Sequence, residues 1–144
     1  MPAPQATVLQ NGRRKAYRPI SAADRATAFE AAVAAYERGD YFEAHELLEP
    51  AWMGTNDLAE RELYQGLIKL AAAFVHGVRG NPRGIAKNLA GARERLAAAL
   101  AADAPSGGID LVGLLAEIDE RLARLAADPD DRTTTAPILR RPAR

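Results

Sequence analysis

Gly39-Asp40-Tyr41-Phe42-Glu43-Ala44-His45-Glu46-Leu47-Leu48-Glu49-Pro50-Ala51-Trp52-Met53 is the stretch that decides the fold. It holds one of the two histidines and the only tryptophan of the chain. Asp40 is a good helix N-cap, and Glu43 stands three residues on, as in a capping box. At about 100° per residue, Tyr41, His45, Leu48 and Trp52 share one face. Glu49 flanks that face, Glu46 lies toward its edge, and Glu43 and Pro50 point away. A histidine and a glutamate thus sit beside three residues that seek burial. A buried charge is costly unless it is paired or neutralised, so His45 and Glu49, one turn apart, need partners: each other, another helix, water or a ligand. Pro50 removes a backbone donor and crowds the preceding turn. It predicts a kink, or an early end with residues 51–53 in a tighter turn.

Working toward the N-terminus, Ser21 and Asp24 form a second capping pattern. Ala22, Ala26, Phe29, Val33 and Tyr36 make an apolar stripe over residues 21–38. Gly39 ends that helix, so the two helices form a tight hairpin. Residues 1–20, punctuated by Pro2, Pro4, Asn11-Gly12 and Pro19, show no lasting periodicity and read as a flexible arm, with Tyr17 tacking it to the body.

Working toward the C-terminus, residues 53–57 are a linker and a long helix follows to about residue 79. Leu63, Leu67, Leu70, Phe74 and Val78 form one apolar stripe, and Tyr64, Ile68, Ala71 and Val75 a second. Two apolar faces mark a helix packed on several sides, the central one. Its remaining narrow face is Gln65, Lys69, Ala72 and His76. Gly66 costs helix propensity and predicts a close approach of another helix. Gly80-Asn81-Pro82 supplies a C-cap, an N-cap and a first-turn proline in succession. The next helix runs to about residue 102 on Ile85, Leu89, Ala92, Leu96 and Leu100, with Arg79, Arg83 and Lys87 outside. After the loop 103–108, a last helix starts near residue 109 or 110 and carries Leu111, Leu115, Ile118, Leu122 and Leu125. Residues 128–144 read as a flexible tail, with Ile138 and Leu139 as an anchor. The fold class is all-α: a compact bundle of about five helices over residues 21–127, built from two consecutive helical hairpins plus a C-terminal helix.

Composition agrees. A chain of 144 residues makes one domain. Alanine and leucine dominate and aromatics are 6%, which favours helix over strand. The absence of cysteine excludes disulfides and thiolate metal sites. No apolar run nears the roughly 18 residues of a membrane helix, and no signal-peptide pattern opens the chain, so a cytoplasmic protein is expected. Formal net charge is zero, with 19 bases and 19 acids. The arm is basic (Arg13, Arg14, Lys15, Arg18), residues 24–62 are acid-rich and residues 69–95 are base-rich. The simplest reading is attraction between acidic and basic helices. A nucleic-acid face is not indicated, given the neutral total and scarce aromatics.

Two resemblances follow from these motifs. Tyr36-x-x-Gly39-Asp40-Tyr41-x-x-Ala44 resembles half a tetratricopeptide repeat, but the second hairpin does not repeat it. The combination of 40–49 with Trp52, then Gly66-Leu67-Ile68-Lys69-Leu70-Ala71-Ala72-Ala73 with His76, then Arg79-Gly80-Asn81 with Gly84, resembles the DUF309 family over about residues 25–100. That resemblance implies a compact helical bundle with the His-Glu helix packed on the Gly-Leu-Ile helix, and it implies no established activity. Lys69 stands where many relatives carry glutamine, so no fixed hydrogen bond is carried over to that position.

The candidate chemistry centres on His45, Glu46 and Glu49, the acid–base candidates. Trp52, Gln65, Lys69, His76 and Asn81 are candidate binding residues. His45-Glu46-x-x-Glu49 departs from the zinc motif His-Glu-x-x-His at its last position. A di-iron bundle would need two Glu-x-x-His pairs, and none is present. A divalent metal held by His45, Glu49 and His76 or Glu60 stays as an alternative without a confident ligand set. No nucleophile elbow or phosphate loop occurs. The sequence therefore predicts a helical module that binds a protein partner or a second copy of itself. The alternative is a hydrolase or metal-binding protein using the His/Glu cluster.

Overall fold

The structure, a computed structural model, describes residues 6–142. Five helices carry the fold: α1 Ala22–Glu37, α2 Tyr41–Met53, α3 Leu58–Val78, α4 Pro82–Ala101 and α5 Leu111–Ala127. Every one opens on a polar cap. Ser21, Asp40, Asp57, Asn81 and Asp110 each accept a hydrogen bond from the amide three residues on. Such a cap stabilises a helix by about 1 kcal/mol. Gly39 at φ 83° and Gly80 at φ 68° take the left-handed turns that fold α1 onto α2 and α3 onto α4. The expected all-α bundle of two hairpins and a last helix is the observed one.

α3 is the hub, packed on α2 and on α4. Leu63, Leu67, Leu70 and Phe74 are buried on one side, and Tyr64, Ile68 and Ala71 on another. Val78, assigned to the first stripe, is 78% exposed because the helix end runs past its neighbours. The close approach at Gly66 is real: a Cβ there would lie 2.7 Å from the Leu96 side chain. Leu63, Leu70, Leu89, Leu96, Leu114 and Ile118 are essentially sealed from water, each worth roughly 1.5–3 kcal/mol of burial.

α2 continues through Pro50 to Met53, so the early end is not observed. Pro50 lies near the last turn, where few hydrogen bonds remain to be lost. Ala22, Ala26 and Leu100 are exposed rather than inward, while Ala32, Ala35, Ala99 and Leu114 fill the core in addition to the expected stripes.

Both ends differ from the expected flexible segments. Within 1–20, Thr7–Gln10 (β1) and Arg13–Ala16 (β2) form an antiparallel hairpin with Gln10 opposite Arg13. Asn11 at φ 54° and Gly12 at φ 75° make its two-residue turn. Asn-Gly is the strongest short hairpin signal, and here it outweighs the lack of lasting periodicity around it. Pro2 and Pro4 lie outside the described residues. At the other end, residues past α5 run back over the bundle. Tyr36 donates its hydroxyl to the Pro137 carbonyl at 2.6 Å, the Asp110 amide donates to the Arg140 carbonyl, and Arg141 pairs with Glu30. Leu139 is buried at 6% exposure, whereas Ile138 is 59% exposed, so one of the two anchor residues holds.

Candidate functional site

The narrow polar face of α3 is a line that its neighbours leave half-open. Gln65, Lys69, Ala72 and His76 are all half-buried, in a helix otherwise sealed over most of its length. α4 flanks this line through two glycines. A Cβ at Gly91 would lie 2.9 Å from the Lys69 chain, and one at Gly84 would lie 2.5 Å from the His76 ring. The missing side chains let Lys69 and His76 lie across α4 instead of being displaced by it. Asn81, the cap of α4, places its carboxamide Nδ2 3.2 Å from Nδ1 of His76. His76 and Asn81 are therefore brought together.

α2 flanks the other side. Tyr41 meets Phe74 with ring centroids 5.8 Å apart, and Trp52 stacks against Arg61, 5.1 Å from ring centre to guanidinium. His45 lies on the Tyr41–Trp52 flank, with 27% of its side chain exposed. Its partners are on its own helix: Glu46 Oε1 at 3.3 Å from Nδ1 and Glu49 Oε1 at 3.9 Å from Nε2. Both carboxylates are about half exposed. Of the partners open to His45, Glu49 one turn on is the one found near it, and no group of the central helix is among its hydrogen bonds. The polar line of α3 between α2 and α4, the crease, carries an amide, an ammonium and a second imidazole, and the imidazole and two half-exposed carboxylates of α2 stand on the helix that flanks it.

One end of the crease is closed by a polar network that the sequence reading missed. Gln10, at the end of β1, is 2% exposed. Its Oε1 accepts from the Trp52 indole at 3.2 Å and from Arg61 Nε at 3.0 Å, and its Nε2 donates to Gln65 at 2.8 Å. Arg61 is fully buried. It donates to the carbonyls of Trp52 and Thr55 at 2.9 and 3.0 Å, and its Nη2 has no hydrogen-bond partner among the described residues. Burial pushes its pKa below the ordinary arginine value. Beside it, Glu62 is 8% exposed and takes both Arg95 Nη1 (3.1 and 3.0 Å) and the Asn11 carboxamide. The signal that could have found this network was Arg61-Glu62 at positions where α3 is buried all round.

The basic helix α4 pairs with α3 and α5, not with α2: Arg95 with Glu62, Arg93 with Asp119. Arg83 reaches Asp130 in the tail. Among the described residues no group of three or more histidine, aspartate or glutamate side chains could hold a metal ion. His45, Glu49 and His76 or Glu60 do not converge as a ligand set. No helix of the described residues is long and apolar enough to cross a membrane.

These features define a class first: an all-helical protein of two capped hairpins with a polar crease on its central helix. Residues 29–88 match the model of the domain of unknown function DUF309. That match covers α2, α3, most of α1 and the first turns of α4. No curated protein and no solved structure matches it.

Proposed function

We propose that this protein is a binding module that takes a polar segment of a partner chain along the α2–α4 crease. One observation carries the reading. A helix sealed over most of its length keeps Gln65, Lys69 and His76 half-open, and two glycines on α4 make room for Lys69 and His76. Those groups offer donors and acceptors of both signs in a row, suited to an extended polar segment. The hydrolase or metal alternative has less support, because the imidazole of His45 is matched only by carboxylates of its own helix.

Site-specific photo-crosslinking in the native host tests it. A photoreactive residue at Glu49 or Lys69 is expected to give a discrete adduct, and one at Glu120 on the exposed side of α5 none. Replacing His45 and Lys69 together by alanine should remove the adduct while the thermal midpoint stays put. Equal adducts from the crease and from Glu120, or none from either, would overturn the reading.

A further inference from the structure

On another face of α3, away from the crease, lies a cleft of about 230 Å3 between α1, the first turns of α3 and the α4–α5 loop. Its polar lining is an ion pair. Arg25 Nε meets Glu60 Oε1 at 2.6 Å, and the two side chains are 18% and 21% exposed. Arg25 is held in place by a second bond, from Nη1 to the Ile20 carbonyl at 2.6 Å. The rest of the lining is Ala22, Ala26, Leu63, Pro105, the 5% of Phe29 that stays exposed, and Tyr64, whose phenol lies against Glu60. The Phe29 and Tyr64 rings stand 6.5 Å apart, tilted by 54°. Phe29 is fixed from two further sides. The backbone of Gly107 lies so close that a Cβ would be 2.3 Å from the ring, and Arg141 stacks on it at 5.6 Å. The wall is therefore formed before any ligand arrives.

We propose that this cleft binds a small uncharged aromatic molecule bearing an amide or lactam edge. The edge meets the Arg25–Glu60 pair and the ring lies against Phe29. Three observations select that class. The volume is below the roughly 300–1,000 Å3 of sites for drug-sized ligands, which suits a single ring system. Guanidinium and carboxylate already neutralise one another, so an anion meets Glu60 and a cation meets Arg25, each at a desolvation cost. A group with donor and acceptor side by side adds hydrogen bonds to both without parting them. The site shares no side chain with the crease and does not depend on the reading given to it.

Titration of the full chain with benzamide, followed by amide nitrogen–proton NMR, is the test. Saturable shifts are expected at Glu60, Tyr64 and Gly107, with a Kd of about 1–10 mM for so small a ligand. Benzoate and benzylammonium should bind at least about tenfold more weakly. Ala26→Phe fills the exposed mouth without removing a polar group, so it should abolish the shifts and keep the thermal midpoint. Glu60→Gln should weaken binding. Absence of saturation by about 30 mM, equal binding of benzoate, or undiminished binding to Ala26→Phe would overturn the proposal.

Discussion

Trp52 donates its indole N–H to the side-chain oxygen of Gln10 at 3.2 Å, although 42 positions separate them. Through this bond the β1–β2 hairpin becomes part of the bundle. The same oxygen takes Arg61, and the same carboxamide reaches Gln65. Gln10→Ala should therefore cost about 2–4 kcal/mol, since the buried donors of Trp52 and Arg61 would lose their acceptor together. Trp52 is the sole tryptophan, so urea unfolding followed by its fluorescence reads both stability and the local loss of contact. A cost near zero would show that water replaces the carboxamide.

Gly66 and Gly77 lie on the same helix and should respond in opposite ways to alanine. At Gly66 the new methyl would sit 2.7 Å from Leu96 side-chain atoms and 3.1 Å from its backbone nitrogen. The helices must separate, at about 1–3 kcal/mol. At Gly77 the nearest atoms are 3.5 Å away, ordinary contact. There alanine should stabilise by up to about 1 kcal/mol through helix propensity. Denaturation midpoints of the two variants against the parent decide it. A Gly66→Ala protein as stable as the parent would disprove the tight packing.

The glycines also show what a sequence can and cannot tell. Gly39, Gly66 and Gly80 were readable, because propensity makes a glycine costly in a helix and natural at its end. Helix number, caps and the central place of α3 followed from periodicity and polar caps, both local. Gly84 and Gly91 were opaque, because their reason is the His76 ring and the Lys69 chain on another helix. The Gln10 network was opaque for the same cause: its members lie up to 55 positions apart. The pairing of His45 with Glu49, one turn on, was legible as one of several possible partners, and Glu46 joins it from the next position. Wheel geometry fixes a direction and leaves open which acceptor is nearest.

His45→Ala should cost less than about 1 kcal/mol. The imidazole is partly exposed and pairs with half-exposed carboxylates on its own helix, an arrangement that contributes little to stability. Arg61→Lys, by contrast, should cost about 1–3 kcal/mol, since a single ammonium cannot reach the Gln10 oxygen and two carbonyls in the same fork. Thermal unfolding of both variants measures the contrast. If His45→Ala proves the more damaging, the residue is structural, and His45 drops out of the binding role given to the crease.

Alkaline pH should unfold the protein through two tyrosines. Burial raises the pKa of Tyr36 well above the ordinary value near ten. Tyr64 is raised too, by burial first and then by Glu60 beside it. The folded state thus keeps both protons to higher pH than the unfolded chain does. Stability is fully present below about pH 10 and is lost as pH rises above it, by about 1.4 kcal/mol per pH unit for each buried phenol. Tyr36→Phe should remove about half of that slope. At neutral pH the variant should cost about 1 kcal/mol, because the Pro137 carbonyl loses its 2.6 Å donor and the tail one of its hydrogen-bonded tethers to α1. Urea unfolding followed by circular dichroism between pH 8 and about 11.5 checks both parts. An unchanged slope in the variant would mean that the Tyr36 hydroxyl reaches solvent, and that the tail does not lie over α1 as found.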